Sequence, residues 1–158
     1  MLLGWDGYEL MELAKILGRN FMFRGLPTSF LNTLAAFADV RNYAGGETLV
    51  RQFDNNRDLM VILEGQAVTR NFHGDIVARF GPGSVVGEMS LVDGSPRSAN
   101  VVTSGPTQVA IIPSACIDKL VEIEPENGNT LYRNIAKVLC RRLRTMNEQS
   151  GAPMASVR

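Results

Sequence analysis

The stretch FGPGSVVGEMSLVDGSPRSA, residues 80–99, is the part of this chain in which glycine is densest. Glycine has no Cβ and adopts positive φ readily, so such a segment can bring backbone N–H groups close to a ligand. Residues 88–91 are long enough for one helical turn, and the N-terminus of a helix attracts an anion. Arg97 follows just before a predicted strand, and its guanidinium can hold a phosphate with two parallel charge-assisted hydrogen bonds. The stretch therefore indicates an anion site.

Glu88, inside the same stretch, has the wrong charge for a phosphate but suits a sugar hydroxyl such as a ribose 2′-OH. Together the arginine and the carboxylate indicate a nucleotide. Taken separately, the glycine-rich segment is usually only a turn, and Arg97 and Glu88 could form a structural ion pair. The stretch contains no G-x-x-x-x-G-K-[ST] loop and no G-x-G-x-x-G, so the signatures of nucleoside triphosphate and dinucleotide sites do not apply.

Short β-type runs separated by glycine, asparagine and aspartate surround this stretch, from about Asp39 to Pro113. Strands spaced by about 8 to 12 residues favour a sandwich or a jelly roll. The predicted strands are Thr48–Phe53, Leu59–Leu63, Ala67–Phe72, Ile76–Phe80, Ala99–Thr103 and Gln108–Ile112.

Helical patterns lie on both sides of the β region. The predicted helices are Tyr8–Leu17, a short helix capped by Pro27-Thr28-Ser29, Ser114–Ile123 and Asn127–Asn147. We therefore expect an α+β, mainly β fold: an antiparallel β jelly roll (double-stranded β-helix) flanked by N-terminal helices and a long C-terminal helix. The predicted single domain, 1–149, divides into helices 1–37, β-roll 38–113 and helices 114–149, followed by a disordered tail at 150–158.

Two apolar rows run along the last predicted helix. One row could pack on the roll while the other contacts a partner subunit, as in a homodimer, or both could cover the sheet; the pattern leaves these alternatives open. The rows are Leu131, Ile135 and Val138, and Tyr132, Ala136, Leu139, Leu143 and Met146.

Composition limits the functional classes. With 158 residues and 16 residues of each charge, the chain has room for one domain and no net positive charge for nucleic acid. The N-terminus resembles no signal peptide and no run reaches the roughly 20 apolar residues of a membrane span, so we expect a cytoplasmic protein. Cys116 and Cys140 are expected to be reduced fillers of the fold. Since His73 is the only histidine, we expect no metal, no cofactor and no enzyme of the metal-binding jelly-roll type.

The pair of motifs Gly87-Glu88-Met89-Ser90-Leu91 and Pro96-Arg97-Ser98-Ala99 resembles the phosphate-binding cassette of cyclic nucleotide-binding domains. The likeness is to the sensor domain of catabolite activator protein, kinase regulatory subunits and cyclic nucleotide-gated channels. Further matching marks are Phe23-x-x-Leu26, Gly45-Gly46-Glu47, Leu59-Met60-Val61-Ile62-Leu63-Glu64-Gly65 and Arg141-Arg142-Leu143.

The resemblance implies a role for each cassette residue. Arg97 would bind the exocyclic oxygens of the cyclic phosphate, with the amides of residues 88–90 and the Ser98 hydroxyl, and Glu88 would accept from the ribose 2′-OH. In relatives the last helix closes over the base. The implied ligand-binding residues are Gly87, Glu88, Met89, Ser90, Arg97, Ser98 and Ala99, and the possible base contacts are Val86, Thr145, Met146 and Asn147.

The function that the resemblance implies is a stand-alone sensor that binds cAMP or cGMP and signals to an unknown downstream protein through its C-terminal helix. The alternative is an interaction module of the same fold that binds no nucleotide, or a cyclic dinucleotide. Only about ten residues follow Asn147, too few for a helix-turn-helix, so we expect no DNA binding by this chain alone. A basic cluster, Arg133, Lys137, Arg141, Arg142 and Arg144, is expected to solvate a helix face or complete the ligand site rather than bind nucleic acid.

Overall fold

A computed structural model describes residues 7–151, in which eight strands lie between helices from the two ends of the chain. The helices are α1 (Gly7–Arg19), a 3-10 turn (Phe21–Phe23), α2 (Thr28–Phe37), α3 (Glu88–Asp93), α4 (Ser114–Ile123) and α5 (Pro125–Ser150). The strands are β1 (Asp39–Tyr43), β2 (Thr48–Val50), β3 (Leu59–Glu64), β4 (Ala67–Arg70), β5 (Ile76–Phe80), β6 (Val85–Val86), β7 (Val101–Thr103) and β8 (Thr107–Ile112).

The strands form two four-stranded antiparallel sheets, with the orders β1-β8-β3-β6 and β2-β7-β4-β5. Apart from the hairpin of β4 and β5, neighbouring strands are not consecutive in the chain, as the winding of a jelly roll requires. The predicted fold class, a jelly roll flanked by N-terminal helices and a long C-terminal helix, is confirmed.

Strand β3 shows why the roll and the helices form one packed unit. Successive side chains of a strand point to opposite faces of the sheet. Leu59 and Val61 pack with the helices, whereas Met60 and Ile62 pack inside the roll. This sheet is therefore covered on both faces, which explains the continuous apolar run in the sequence.

Two strands were not predicted from the sequence. β1 pairs with β8 at the edge of its sheet and is mostly exposed, so it has no apolar alternation. β6 has only two residues and lies within the glycine-rich stretch. The strands predicted to reach Phe53 and Phe72 end earlier, at Val50 and Arg70. Phe53 has φ of 72°, a left-handed conformation that cannot continue a strand.

The helix ends also differ from the prediction. α5 begins at Pro125, where a missing N–H costs nothing, and continues to Ser150, which the prediction had placed in a disordered tail. Gly151 then ends the helix with φ of 64°. Residues 152–158 of the predicted tail lie outside the described residues. At α2 the N-cap is Pro27, within the predicted cap segment, but it makes no side-chain cap hydrogen bond. The limits of the domain, 1–149, stay a prediction.

The two apolar rows of α5 differ in burial. Leu131 and Ile135 are fully buried, whereas Leu143 and Met146 are 50% and 63% exposed. The row of Leu131 and Ile135 packs on the domain, as the first predicted arrangement requires, and contact of the other row with a partner subunit stays a prediction. Cys140, in the second half of the helix, is exposed, so it is no filler of the core. No helix within residues 7–151 is long and apolar enough to cross a bilayer.

Asn134 fixes the position of α5. Its Nδ2 donates to the carbonyl oxygens of Met22, at 3.1 Å, and Arg24, at 2.7 Å, and the residue is 8% exposed. These carbonyl groups belong to the 3-10 turn and its cap, so one buried amide joins the N-terminal helices to the C-terminal helix.

We expect Asn134→Ala to lower the free energy of unfolding by about 1 to 3 kcal/mol, because two carbonyl groups lose their donor. The measurement is urea denaturation followed by circular dichroism. Asn32→Ala, on the exposed side of α2, is the matched control and should change the same quantity by less than about 0.5 kcal/mol. Equal effects of the two substitutions would contradict the anchoring role of Asn134.

Candidate functional site

The helical turn predicted at residues 88–91 is present as α3. Gly87 precedes it with φ of 96°, and Gly94 follows it with φ of 69° and donates its N–H to the carbonyl oxygen of Ser90. Glycine adopts these left-handed conformations without strain. The two glycines therefore allow the chain to turn into α3 after β6 and to turn out of α3 before the segment that contains Arg97.

Arg97 is buried, at 4% exposure, and its guanidinium is fixed by three acceptors. Nη1 donates to the carbonyl oxygen of Gly87 at 3.0 Å, and Nη2 donates to Oδ1 of Asn56 at 3.0 Å and to the carbonyl oxygen of Asp58 at 2.6 Å. A guanidinium has five donor hydrogens, so these three bonds leave donors for a ligand.

Burial lowers the pKa of the Arg97 guanidinium, while the charges of Asp58, Asp54 and Glu88 act in the opposite direction. An ordinary arginine has a pKa so far above 7 that the group stays cationic at neutral pH. The site therefore contains a buried, permanent positive charge.

Glu88 is also buried, at 4% exposure, and its Oε1 accepts a hydrogen bond from Nη1 of Arg142 on α5. The side chain of Arg142 is half exposed. Among the described residues the ion-pair partner of Glu88 is thus Arg142 and not Arg97, which answers the question left open by the sequence. Within the cassette, the Glu88 carboxylate and the Arg97 guanidinium therefore contact different partners.

The two buried charges border one cavity, which contains about 480 Å³ of empty space that continues into solvent. The volume accessible to a small molecule is about 100 Å³ in this arrangement, in which Arg142 contacts Glu88. The cavity is lined by Val50, Thr69, Phe80, Val86, Gly87, Glu88, Met89, Ser90, Arg97, Ser98, Ala99, Val101 and Arg142. All seven implied ligand-binding residues and Val86 therefore border one space.

The three residues of the last helix expected near the base do not line this cavity. Thr145 borders a different surface, and Met146 is exposed. A helix turns by about 100° and advances 1.5 Å per residue, so the side chain that meets the cassette lies one turn earlier, at Arg142. Contact of Thr145, Met146 and Asn147 with the base stays a prediction.

A loop of three adjacent residues connects the cassette to the C-terminal helices. Asn56 accepts from Arg97, as described above, and Arg57 donates to the carbonyl oxygens of Ser90 and Leu91 at the end of α3, each at 3.2 Å. Oδ1 of Asp58 accepts from the backbone N–H of Ser114, at 2.8 Å, at the start of α4. The partners of this loop are distant in sequence, so no local pattern indicates its role.

Within residues 7–151, no group of three or more histidine, cysteine, aspartate or glutamate side chains is arranged to hold a metal ion. The cavity instead combines an apolar wall with two cationic side chains, Arg97 and Arg142, and one anionic side chain, Glu88. Such a lining suits a ligand that carries an anionic group, a hydroxyl group and an apolar or aromatic part.

Comparison with known proteins finds a matching family and similar chains. The family model described as "Cyclic nucleotide-binding domain" matches residues 40–124. A cAMP-dependent protein kinase regulatory subunit from Debaryomyces hansenii is 34% identical over 101 residues, 64% of this chain. The chain spans 22% of the length of that relative.

Two solved structures share the fold. A cyclic nucleotide-binding domain from Methylobacillus flagellatus matches with a TM-score of 0.77 at 24% identity, over 99% of this chain and 90% of that one. The catabolite activator protein of Thermus thermophilus matches with a TM-score of 0.69 at 26% identity, over 84% of this chain and 62% of that one.

We expect Gly87→Ala to destabilise the protein more than Gly94→Ala does. Both alanines would adopt a left-handed conformation, at about 1 to 2 kcal/mol each. Only at Gly87 would the new Cβ also lie 2.4 Å from Nη1 of Arg97 and 3.0 Å from the carbonyl oxygen of Asp58, whereas Gly94 has open space around it. Urea denaturation should show a further loss of at least about 1 kcal/mol for Gly87→Ala. Equal losses would mean that the Gly87–Arg97 contact does not constrain this position.

Proposed function

We propose, from the premise that this chain belongs to the cyclic nucleotide-binding domain family, that its cavity binds a cyclic mononucleotide and that cAMP is the first candidate. The observation that carries the proposal is the pair of buried, oppositely charged side chains, Arg97 and Glu88, on one cavity. A cyclic phosphate and a ribose 2′-OH require these two kinds of partner.

The proposed contacts follow the lining of the cavity. Arg97 binds the exocyclic phosphate oxygens with the donors that its three structural hydrogen bonds leave, helped by the amides of residues 88–90 and the Ser98 hydroxyl. Glu88 accepts from the ribose 2′-OH beside the backbone of Gly87. Val86 and the other apolar lining residues contact the base or the sugar ring.

Adenine is favoured over guanine on two grounds. The relative from Debaryomyces hansenii is named as cAMP-dependent. Ser98 after the arginine resembles bacterial cAMP binders, although a hydroxyl at this place also suits guanine, so cGMP is the second candidate.

The protein binds the nucleotide and does not convert it, since the family is one of regulatory binding domains.

Signalling is proposed to pass through α5. Arg142 donates to the carboxylate that the ribose 2′-OH also requires, so the position of α5 and the occupancy of the cavity are coupled at Glu88. A ligand shifts such an equilibrium only by contacting one arrangement better than the other. Movement of the second half of α5 would also bring Thr145, Met146 and Asn147 towards the base.

The output of this movement is proposed to be a protein contact. Leu143 and Met146 are exposed on α5 and offer an apolar surface to a second copy of the chain or to a downstream partner. The cytoplasmic location and the lack of DNA binding by this chain alone stay predictions.

We expect Arg97→Ala to weaken cAMP binding by about 30- to 140-fold in titration calorimetry. This factor corresponds to about 2 to 3 kcal/mol for a lost charge-assisted phosphate contact. Arg79→Ala removes an exposed guanidinium from β5 and is the matched control, with an expected change below about twofold. Since Arg97 also stabilises the fold, Glu88→Gln provides a second variant, which keeps the shape of the side chain and should weaken binding by a smaller factor.

The wild-type protein is to be titrated with cAMP, cGMP and cyclic dinucleotides. If none of these ligands gives a heat of binding, the proposal is overturned, and the alternative, an interaction module that binds no nucleotide, is favoured. Heat with a cyclic dinucleotide alone would assign the other alternative. Unchanged cAMP affinity in folded Arg97→Ala would place the ligand elsewhere.

We expect cAMP to slow hydrogen exchange of the backbone amides in the last turns of α5, residues 140–150, by at least about threefold, because the helix closes over the base. Strand β3 is the internal reference and should not change. Unchanged exchange in α5 at saturating cAMP would contradict the proposed signal path, while binding itself would stand on the calorimetry.

A further inference from the structure

The basic cluster of the last helix divides into two parts in the structure. Arg142 contacts Glu88 in the cavity, whereas Arg133, Lys137, Arg141 and Arg144 are exposed on another side of α5. At about 100° per residue these four side chains fall within a stripe about 80° wide, which we call the basic stripe. Its length from first to last residue is about 16 Å at 1.5 Å per residue.

A fifth cation extends the basic stripe. The guanidinium groups of Arg141 and Arg24 lie 5.0 Å and 5.9 Å from the centre of the same Phe21 ring. Arg24 is exposed and follows the 3-10 turn that Asn134 fixes against α5. The aromatic ring thus brings a cation from the N-terminal helices next to those of the C-terminal helix.

Apart from the contacts of Arg24 and Arg141 with the Phe21 ring, the stability of the fold does not account for this concentration of charge. None of the five cations forms an ion pair with another described residue. Like charges spaced by three or four residues disfavour a helix, and the last turn of α5, where a cation would stabilise the helix dipole, contains none. The five therefore form a cationic surface without a neutralising partner in residues 7–151.

The basic stripe borders a shallow, open groove whose lining residues all belong to α5. The side chains beside the cations are small or short: Ala136, Cys140 and Thr145. One carboxylate, Glu148, lies at its far end. An extended segment of about five residues, at 3.3 Å per residue, matches the length of the basic stripe.

We infer that the basic stripe, with Arg24, is a docking surface for a short acidic segment of a protein partner. A short acidic segment keeps its negative charge within the stripe. A nucleic acid or an anionic membrane would extend beyond the stripe onto the rest of the molecule. The rest of the chain has a net negative charge, because the whole chain has 16 residues of each charge and the stripe with Arg24 takes five of the positive ones. The exposed apolar residues Leu143 and Met146, which a membrane contact would use, lie on a different side of α5. This surface is separate from the nucleotide cavity, so the inference does not rest on nucleotide binding.

The test measures fluorescence anisotropy of a fluorescein-labelled eight-residue glutamate peptide, without nucleotide. We expect Lys137→Glu with Arg144→Glu to raise the Kd at least about tenfold, and added NaCl, from about 0.05 to 0.3 M, to weaken wild-type binding. The matched control, Arg79→Glu with Lys119→Glu, makes the same change in net charge on other exposed surfaces and should alter the Kd less than about twofold.

Four results would overturn the inference. These are no binding by the wild type, equal weakening in the two double variants, equal binding of a glutamine peptide with the same label, and tighter binding of a single-stranded oligonucleotide or an anionic vesicle through the same side chains.

Alkylation of Cys140 by iodoacetamide gives an independent measurement, since this exposed thiol lies in the groove. The glutamate peptide should slow alkylation of Cys140 several-fold and leave the half-buried Cys116 unaffected; equal rates at Cys140 with and without peptide would also count against the inference.

Discussion

The buried guanidinium of Arg97 is the constraint on which the rest of the site depends. A buried cation is tolerated only when it is hydrogen-bonded and faces negative charge or carbonyl oxygen. Gly87, Asn56 and Asp58 provide those acceptors from two segments that are distant in sequence. A Cβ at position 87 would lie 2.4 Å from the guanidinium, so the arginine also explains why this position is glycine. The charge, the turn and the loop are therefore one structural unit.

That unit is connected to both ends of the chain. The loop that holds Arg97 also binds the end of α3 through Arg57 and the start of α4 through Asp58. Farther along, Asn134 fixes α5 to the N-terminal helices, and Arg142 returns from α5 to the cassette at Glu88. The buried charges of the cassette are therefore in direct contact with the long helix. The second half of that helix is the least buried part of the C-terminal region.

Much of this architecture was predictable because its causes are local. The apolar run Leu59–Leu63 and the turns between strands depend on side-chain type and short-range backbone conformation, and the cassette residues 87–99 are contiguous. β1 and β6 were missed because the first is a mostly exposed edge strand and the second has two residues. The partner of Glu88 was also missed, since Arg142 is 54 residues away and helix register decides which side chain reaches it.

The sequence by itself determined the fold class, the family likeness and the residue types of the site, because periodicity, turn chemistry and a contiguous motif are properties of neighbouring residues. Only the tertiary structure decided how the charges are divided. It placed Arg97 among neutral acceptors rather than against Glu88, directed Arg142 into the cavity, and left the basic stripe on the outer side of α5. The physical reason is that burial and ion pairing depend on which distant segments meet, and five similar basic side chains on one helix look alike until its packed side is known.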